Sequence, residues 1–107
     1  MVQTLSEESF EGYVNEHEIA VIDFTSPTCT PCQTIKPIVE QLATEYDGKA
    51  GVAIVDIQQS PSLAVKCGVM SVPTVMYFKH GKPVEQIVGA RSKKDYANTL
   101  DKVAATP

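Results

Sequence analysis

The stretch VIDFTSPTCTPCQTIKPIVE, Val21 to Glu40, decides the fold. Val21, Ile22 and Phe24 have strand character, Thr25 to Thr28 form a turn with Pro27, and apolar residues then recur at helical spacing through Ile35, Ile38, Val39 and Leu42. Strand, turn and helix follow in that order, and Cys29 and Cys32 fall where the helix begins. A first helical turn has unpaired N–H groups and the positive end of the helix dipole, both of which favour a thiolate over a thiol. A lowered thiol pKa gives a better nucleophile near neutral pH. Three-residue spacing brings both sulfurs to one side of the helix, within reach of a reversible disulfide. Pro31 suits a first turn, where its missing N–H costs no bond, and it stiffens the link between the thiols.

Working outward, Thr4 to Glu8 reads as a helix start, with Ser6 as cap, acidic residues behind it and Leu5 with Phe10 as a hydrophobic staple. This first helix is expected to run to about His17, followed by a strand from Ile19 to Thr25 and the long helix from Cys29 to about Tyr46. Pro37 should kink that helix, and Asp47-Gly48 ends it. Val52 to Ile57 is a largely apolar strand covered on both faces, expected beside the Ile19 to Thr25 strand. Ser60-Pro61 opens a short helix to about Lys66. Pro73 to Lys79 and Pro83 to Val88 form an antiparallel hairpin turning near Gly81, with a bulge or close backbone approach at Gly89. A closing helix capped by Ser92 carries the stripe Tyr96, Leu100 and Val103.

A chain of 107 residues with 43% hydrophobic content is expected to form a single domain over residues 1–107. One close cysteine pair and one odd thiol, Cys67, suit a reducing compartment rather than a disulfide framework. The start MVQTLSEESF has no basic segment followed by an apolar one, and no run approaches a membrane span, so a soluble cytoplasmic protein without membrane association is expected. The net charge of −4 lacks the basic footprint of a nucleic-acid binder. The competing use of the cysteine pair is half of a zinc site. Cys67, His17 and His80 show no spacing that would supply the remaining ligands, so no metal is expected.

Cys29-Thr30-Pro31-Cys32 after an Ile-Asp-Phe strand resembles the redox site of the thioredoxin family, whose usual form is Trp-Cys-Gly-Pro-Cys. The predicted element order is similar to that family's fold from nearly end to end, an α/β fold with a central mixed sheet flanked by helices on both faces. The resemblance implies a protein-disulfide reductase with no bound cofactor. In that mechanism Cys29 attacks a client disulfide and Cys32 displaces the reduced product. Asp23 interrupts an apolar strand, where burial would raise its pKa toward neutrality. It matches the family's buried aspartate, implied to exchange a proton with Cys32, against the plainer reading of a structural carboxyl. Ile54 stands where many relatives have a lysine facing that aspartate.

The substrate-contacting set implied by the resemblance is Thr28, Thr30, Pro31, Val72 and Pro73. Pro73 matches a proline that is cis in the family, with Val72 presenting its backbone to an extended client. Thr25 and Thr28 replace two tryptophans of typical relatives, which implies an altered docking face. Thr30 replaces a glycine and is placed to tune the thiolate. Implied partners are disulfide-containing client proteins and an electron donor of the thioredoxin reductase type, and the protein is expected to be a monomer. Two alternatives stay open: a glutaredoxin-like, glutathione-coupled enzyme, and a non-enzymatic docking module using the Val72-Pro73 groove. Cys67 is read as a small buried hydrophobe, His17 and His80 as solvated, Met70 as surface and Met76 as core.

Overall fold

The computed structural model describes residues 2–107. These form, in chain order, β1 (Gln3–Thr4), α1 (Phe10–Glu16), β2 (Ile19–Thr25), α2 (Thr30–Glu45), β3 (Gly51–Asp56), α3 (Pro61–Lys66), β4 (Thr74–Lys79), β5 (Lys82–Val88) and α4 (Lys93–Ala105). One five-stranded sheet runs in the order β1-β3-β2-β4-β5. β1, β3 and β2 are parallel, while β4 and β5 are antiparallel to their neighbours. The expected pairing of the Ile19 strand with the Val52 strand is therefore present.

Residue parity along β2 divides the core. Ala20, Ile22 and Phe24 face one side, where Phe10 and Val14 of α1 and Leu63 of α3 cover them. Ile19 and Val21 face the other, packed on Ile35, Val39 and Leu42 of α2 and Tyr96, Leu100 and Val103 of α4. Successive strand residues point to opposite faces, so a buried strand between two helical layers must be apolar at every position. Asp23 is the exception, and parity puts it on the α2 side.

Three details differ from the sequence reading. β1 was not anticipated; its two residues pair with Ala53 and Ile54 of β3, and the N–H of Leu5 then donates to the Ile54 carbonyl at 2.7 Å. α1 begins at Phe10, because Ser6 and Ser9 close a turn on each other, each backbone N–H donating to the other's hydroxyl at 2.9 and 3.2 Å. A strand irregularity between Tyr77 and Phe78 was also not anticipated. Gly89, at φ 90°, makes the close backbone approach expected there, its N–H donating to the Pro73 carbonyl at 2.8 Å.

The β4–β5 turn is His80-Gly81, with φ of 53° and 82°. Positive φ at both central residues matches the twist of the flanking strands. At the end of β4, the Lys79 amine donates to the Val103 carbonyl at 2.9 Å and to that of Thr106. A cation there satisfies the free carbonyls at the end of α4 and opposes the negative end of its dipole.

Candidate active site

Cys29 is the N-cap of α2 and is bonded to Cys32, with 5.3 Å between their Cα atoms. Cys29 is half-buried, whereas Cys32 is 2% exposed. The depth difference follows from the helix: the cap residue lies at its open end, and three residues later the chain has turned into the sheet. The Cys32 N–H donates to Cys29 Sγ at 3.2 Å. This is one of the free donors of the first turn, aimed where negative charge develops when the disulfide opens. Pro31 lies in the same turn, as expected.

Across from the pair, the Val72-Pro73 peptide bond is cis. Pro73 is buried, and the Val72 carbonyl oxygen lies 3.7 Å from Cys29 Sγ. Thr74 fixes the turn by donating from Oγ1 to the Ser71 carbonyl at 2.7 Å. Met70, beside this loop, is 96% exposed, and Met76 is in the core.

Asp23 lies beneath the helix start. It lines, with Cys32, Gln33, Lys36, Thr25 and Ile54, a half-open cleft of about 260 Å³. The carboxyl is 2% exposed, its Oδ1 has no hydrogen-bond partner, and burial pushes its pKa up to about 7. Desolvation alone accounts for the rise, since the ionised form loses water and gains no compensating donor. Its neighbour across the β2–β3 ladder is Ile54, so no cation stands at that register.

The structure brings Cys29, Cys32, Pro31, Thr28, Thr30, Val72 and Pro73 to one end of the sheet, with Asp23 under Cys32. Two residues that the sequence did not single out belong there as well. Ser26, 6% exposed, accepts from the Thr28 N–H at 3.4 Å and lies 3.2 Å from Thr28 Oγ1, while its carbonyl takes the Cys29 N–H at 3.2 Å. Gln58, in the loop between β3 and α3, donates from Nε2 to Ser26 Oγ at 3.1 Å and to Thr28 Oγ1 at 3.4 Å. The turn composition around Pro27 was a signal for Ser26; Gln58 had none, because its partners are about thirty residues away.

Other candidates lie apart. Cys67 ends α3, half-buried against the α1 side of the core, and burial pushes its thiol pKa up. His80 is exposed at the hairpin, but His17 is half-buried rather than solvated, its ring 4.3 Å from that of Tyr13 and its Nδ1 2.9 Å from the Tyr13 carbonyl. Among the described residues no three metal-binding side chains cluster, and no helix is long and apolar enough to cross a membrane.

Comparison with known proteins agrees with this geometry. The thioredoxin family profile matches residues 1–102. A thioredoxin of Staphylococcus epidermidis is 44% identical over 87 residues, 81% of this chain and 84% of the relative. One from Staphylococcus aureus is 42% identical over the same shares. Among solved structures, a thioredoxin variant from Halobacterium salinarum superposes with a TM-score of 0.89 at 26% identity, covering 98% of this chain and 92% of that one. The match runs through the Cys-Thr-Pro-Cys turn and on to α4, and on that extent and identity the chain belongs to the thioredoxin family.

Proposed function

We infer that Cys29 is the attacking thiol and Cys32 the resolving one in a protein-disulfide reductase. Membership of the thioredoxin family makes the chain a thiol-disulfide oxidoreductase; the division of roles rests on depth. A half-buried sulfur at the helix cap bonded to a buried one a turn deeper is the observation that carries it.

In the reduced protein the Cys29 thiolate attacks one sulfur of a client disulfide, forming a mixed disulfide and releasing the client's other thiolate. Cys32 gives up its proton and attacks Cys29 Sγ, which frees the second client thiolate and leaves Cys29 and Cys32 bonded. Two electrons have passed to the client, whose two thiolates take up protons. Asp23 is the proton acceptor for Cys32: it shares the cleft, and with its pKa near 7 it exchanges protons at neutral pH. Val72 offers main-chain groups to an extended client segment, Pro73 shapes the groove, and Thr28, Thr30 and Pro31 form the rim beside Cys29.

Clients are disulfide-containing proteins, and a donor of the thioredoxin reductase type restores the dithiol. We place the protein in the cytoplasm, as a monomer whose single domain spans residues 1–107. Dithiothreitol-driven reduction of insulin, followed by turbidity, tests the reading. The wild type accelerates precipitation and Cys29→Ser does not; equal rates for the wild type and the uncatalysed control would remove the general reductase activity in favour of a narrow-client enzyme or a docking module.

A further inference from the structure

The Ser26, Thr28 and Gln58 cluster assigns the direction of one proton at the site. Gln58 Nε2 carries two hydrogens and gives one to each hydroxyl, at 3.1 Å to Ser26 and 3.4 Å to Thr28. Ser26 Oγ also accepts from the Thr28 N–H, at 3.4 Å, so both its lone pairs are taken. The 3.2 Å contact between Ser26 Oγ and Thr28 Oγ1 fits Ser26 as the donor, because its acceptor positions are already filled. Thr28 Oγ1 then accepts twice, from Ser26 and Gln58, and keeps its own hydrogen free to donate. Thr28 is exposed and directly precedes Cys29. Donation into a hydroxyl oxygen also polarises its O–H, which strengthens the outward bond.

We propose that Thr28 is a specificity-determining residue, a fixed hydrogen-bond donor on the rim beside Cys29 that selects client disulfides flanked by a side-chain carbonyl oxygen, amide or carboxylate. The proposal rests on the reductase reading above. Main-chain carbonyls are common to all clients and are already offered partners at Val72, so the selectivity that Thr28 adds is toward side-chain oxygens. Gln58 acts as a positioning residue: its donation to Thr28 Oγ1 polarises the outward O–H, and without it that outward bond weakens.

The test uses two disulfide peptides identical except for Gln or Met next to the reacting cysteine, and the rate constant for their reduction by the pre-reduced protein. One net hydrogen bond predicts about a fivefold preference for the Gln peptide in the wild type. Thr28→Val reduces the ratio to near one, Gln58→Met lowers it partway, and Thr28→Ser, which keeps the hydroxyl, retains it. Equal rates on both peptides in the wild type, or a ratio that survives Thr28→Val, would overturn the selection while leaving the reductase reading in place. A wild type that reduces neither peptide nor insulin removes both.

Discussion

Asp23 and Ile54 stand side by side across the β2–β3 ladder, a buried carboxyl beside an aliphatic side chain on the same face of the sheet. Burial takes the carboxyl from 3.8 to about 7. The folded chain therefore keeps a proton that the unfolded chain releases near pH 4, and between these values the unfolded state binds fewer protons. Stability consequently falls as pH rises through this window, and the full penalty, roughly 4 kcal/mol at about 1.4 per pKa unit, is in force above pH 7. Urea denaturation of the wild type and Asp23→Ala at pH 4.5 and pH 8 checks this. The variant should lack most of the wild type's loss between the two; parallel pH profiles would mean that Asp23 ionises freely in the fold.

Replacing the aliphatic neighbour should act on the same carboxyl. Ile54→Lys puts a cation at the adjacent register, which favours the ionised form and lowers the Asp23 pKa by about one unit or more. Carboxyl NMR titration of the wild type and variant reads the shift directly, and no movement would show that the new amine stays in solvent.

Trapping separates the two sulfurs. In Cys32→Ser the mixed disulfide has no internal attacker, so a Cys29-linked client should accumulate and appear by mass spectrometry under non-reducing conditions. Accumulation in Cys29→Ser instead would reverse the assigned order of attack.

Tyr96 ties α4 to the loop beside the proline turn. Its hydroxyl donates to the Gly89 carbonyl at 3.0 Å and accepts the Arg91 N–H at 3.1 Å, and its own carbonyl takes the Tyr77 hydroxyl at 2.8 Å. Tyr96→Phe loses the first two bonds, at an expected cost of about 1–2 kcal/mol. Chemical denaturation measures the loss, and faster amide exchange at Arg91 would locate it; unchanged exchange there would mean that water replaces the hydroxyl.

The elements around the cysteine pair were legible because their patterns are local. Helical spacing from Ile35 to Leu42 and the Ser60-Pro61 and Ser92 starts each sit within a few residues of the structure they specify, and α2, α3 and α4 lie where expected. β1 was hidden because two residues, Gln3 and Thr4, are too short a run to show an alternating pattern and are strand only by virtue of β3 beside them. The start of α1 shifted because the reciprocal bonds between Ser6 and Ser9 hold those residues in a preceding turn, which leaves Ser9 at the cap position without a side-chain cap bond. At the site, Asp23 announced itself as a charge inside an apolar strand. Gln58 is one polar residue among several in a loop, and its importance depends on a fold that brings it to Ser26 and Thr28.

The parity of β2 also divides what supports the two halves of the site. Phe10, Phe24 and Phe78 interlock on the α1 side, with ring centroids 6.4 and 5.7 Å apart from that of Phe10, and Val72 packs against the same cluster, while Asp23 and Cys32 line the cleft on the α2 side. Mutational drift among those three rings therefore reaches the sulfurs by one route, the client-facing loop that holds the Val72 carbonyl 3.7 Å from Cys29 Sγ, and leaves the carboxyl beneath Cys32 to the opposite layer.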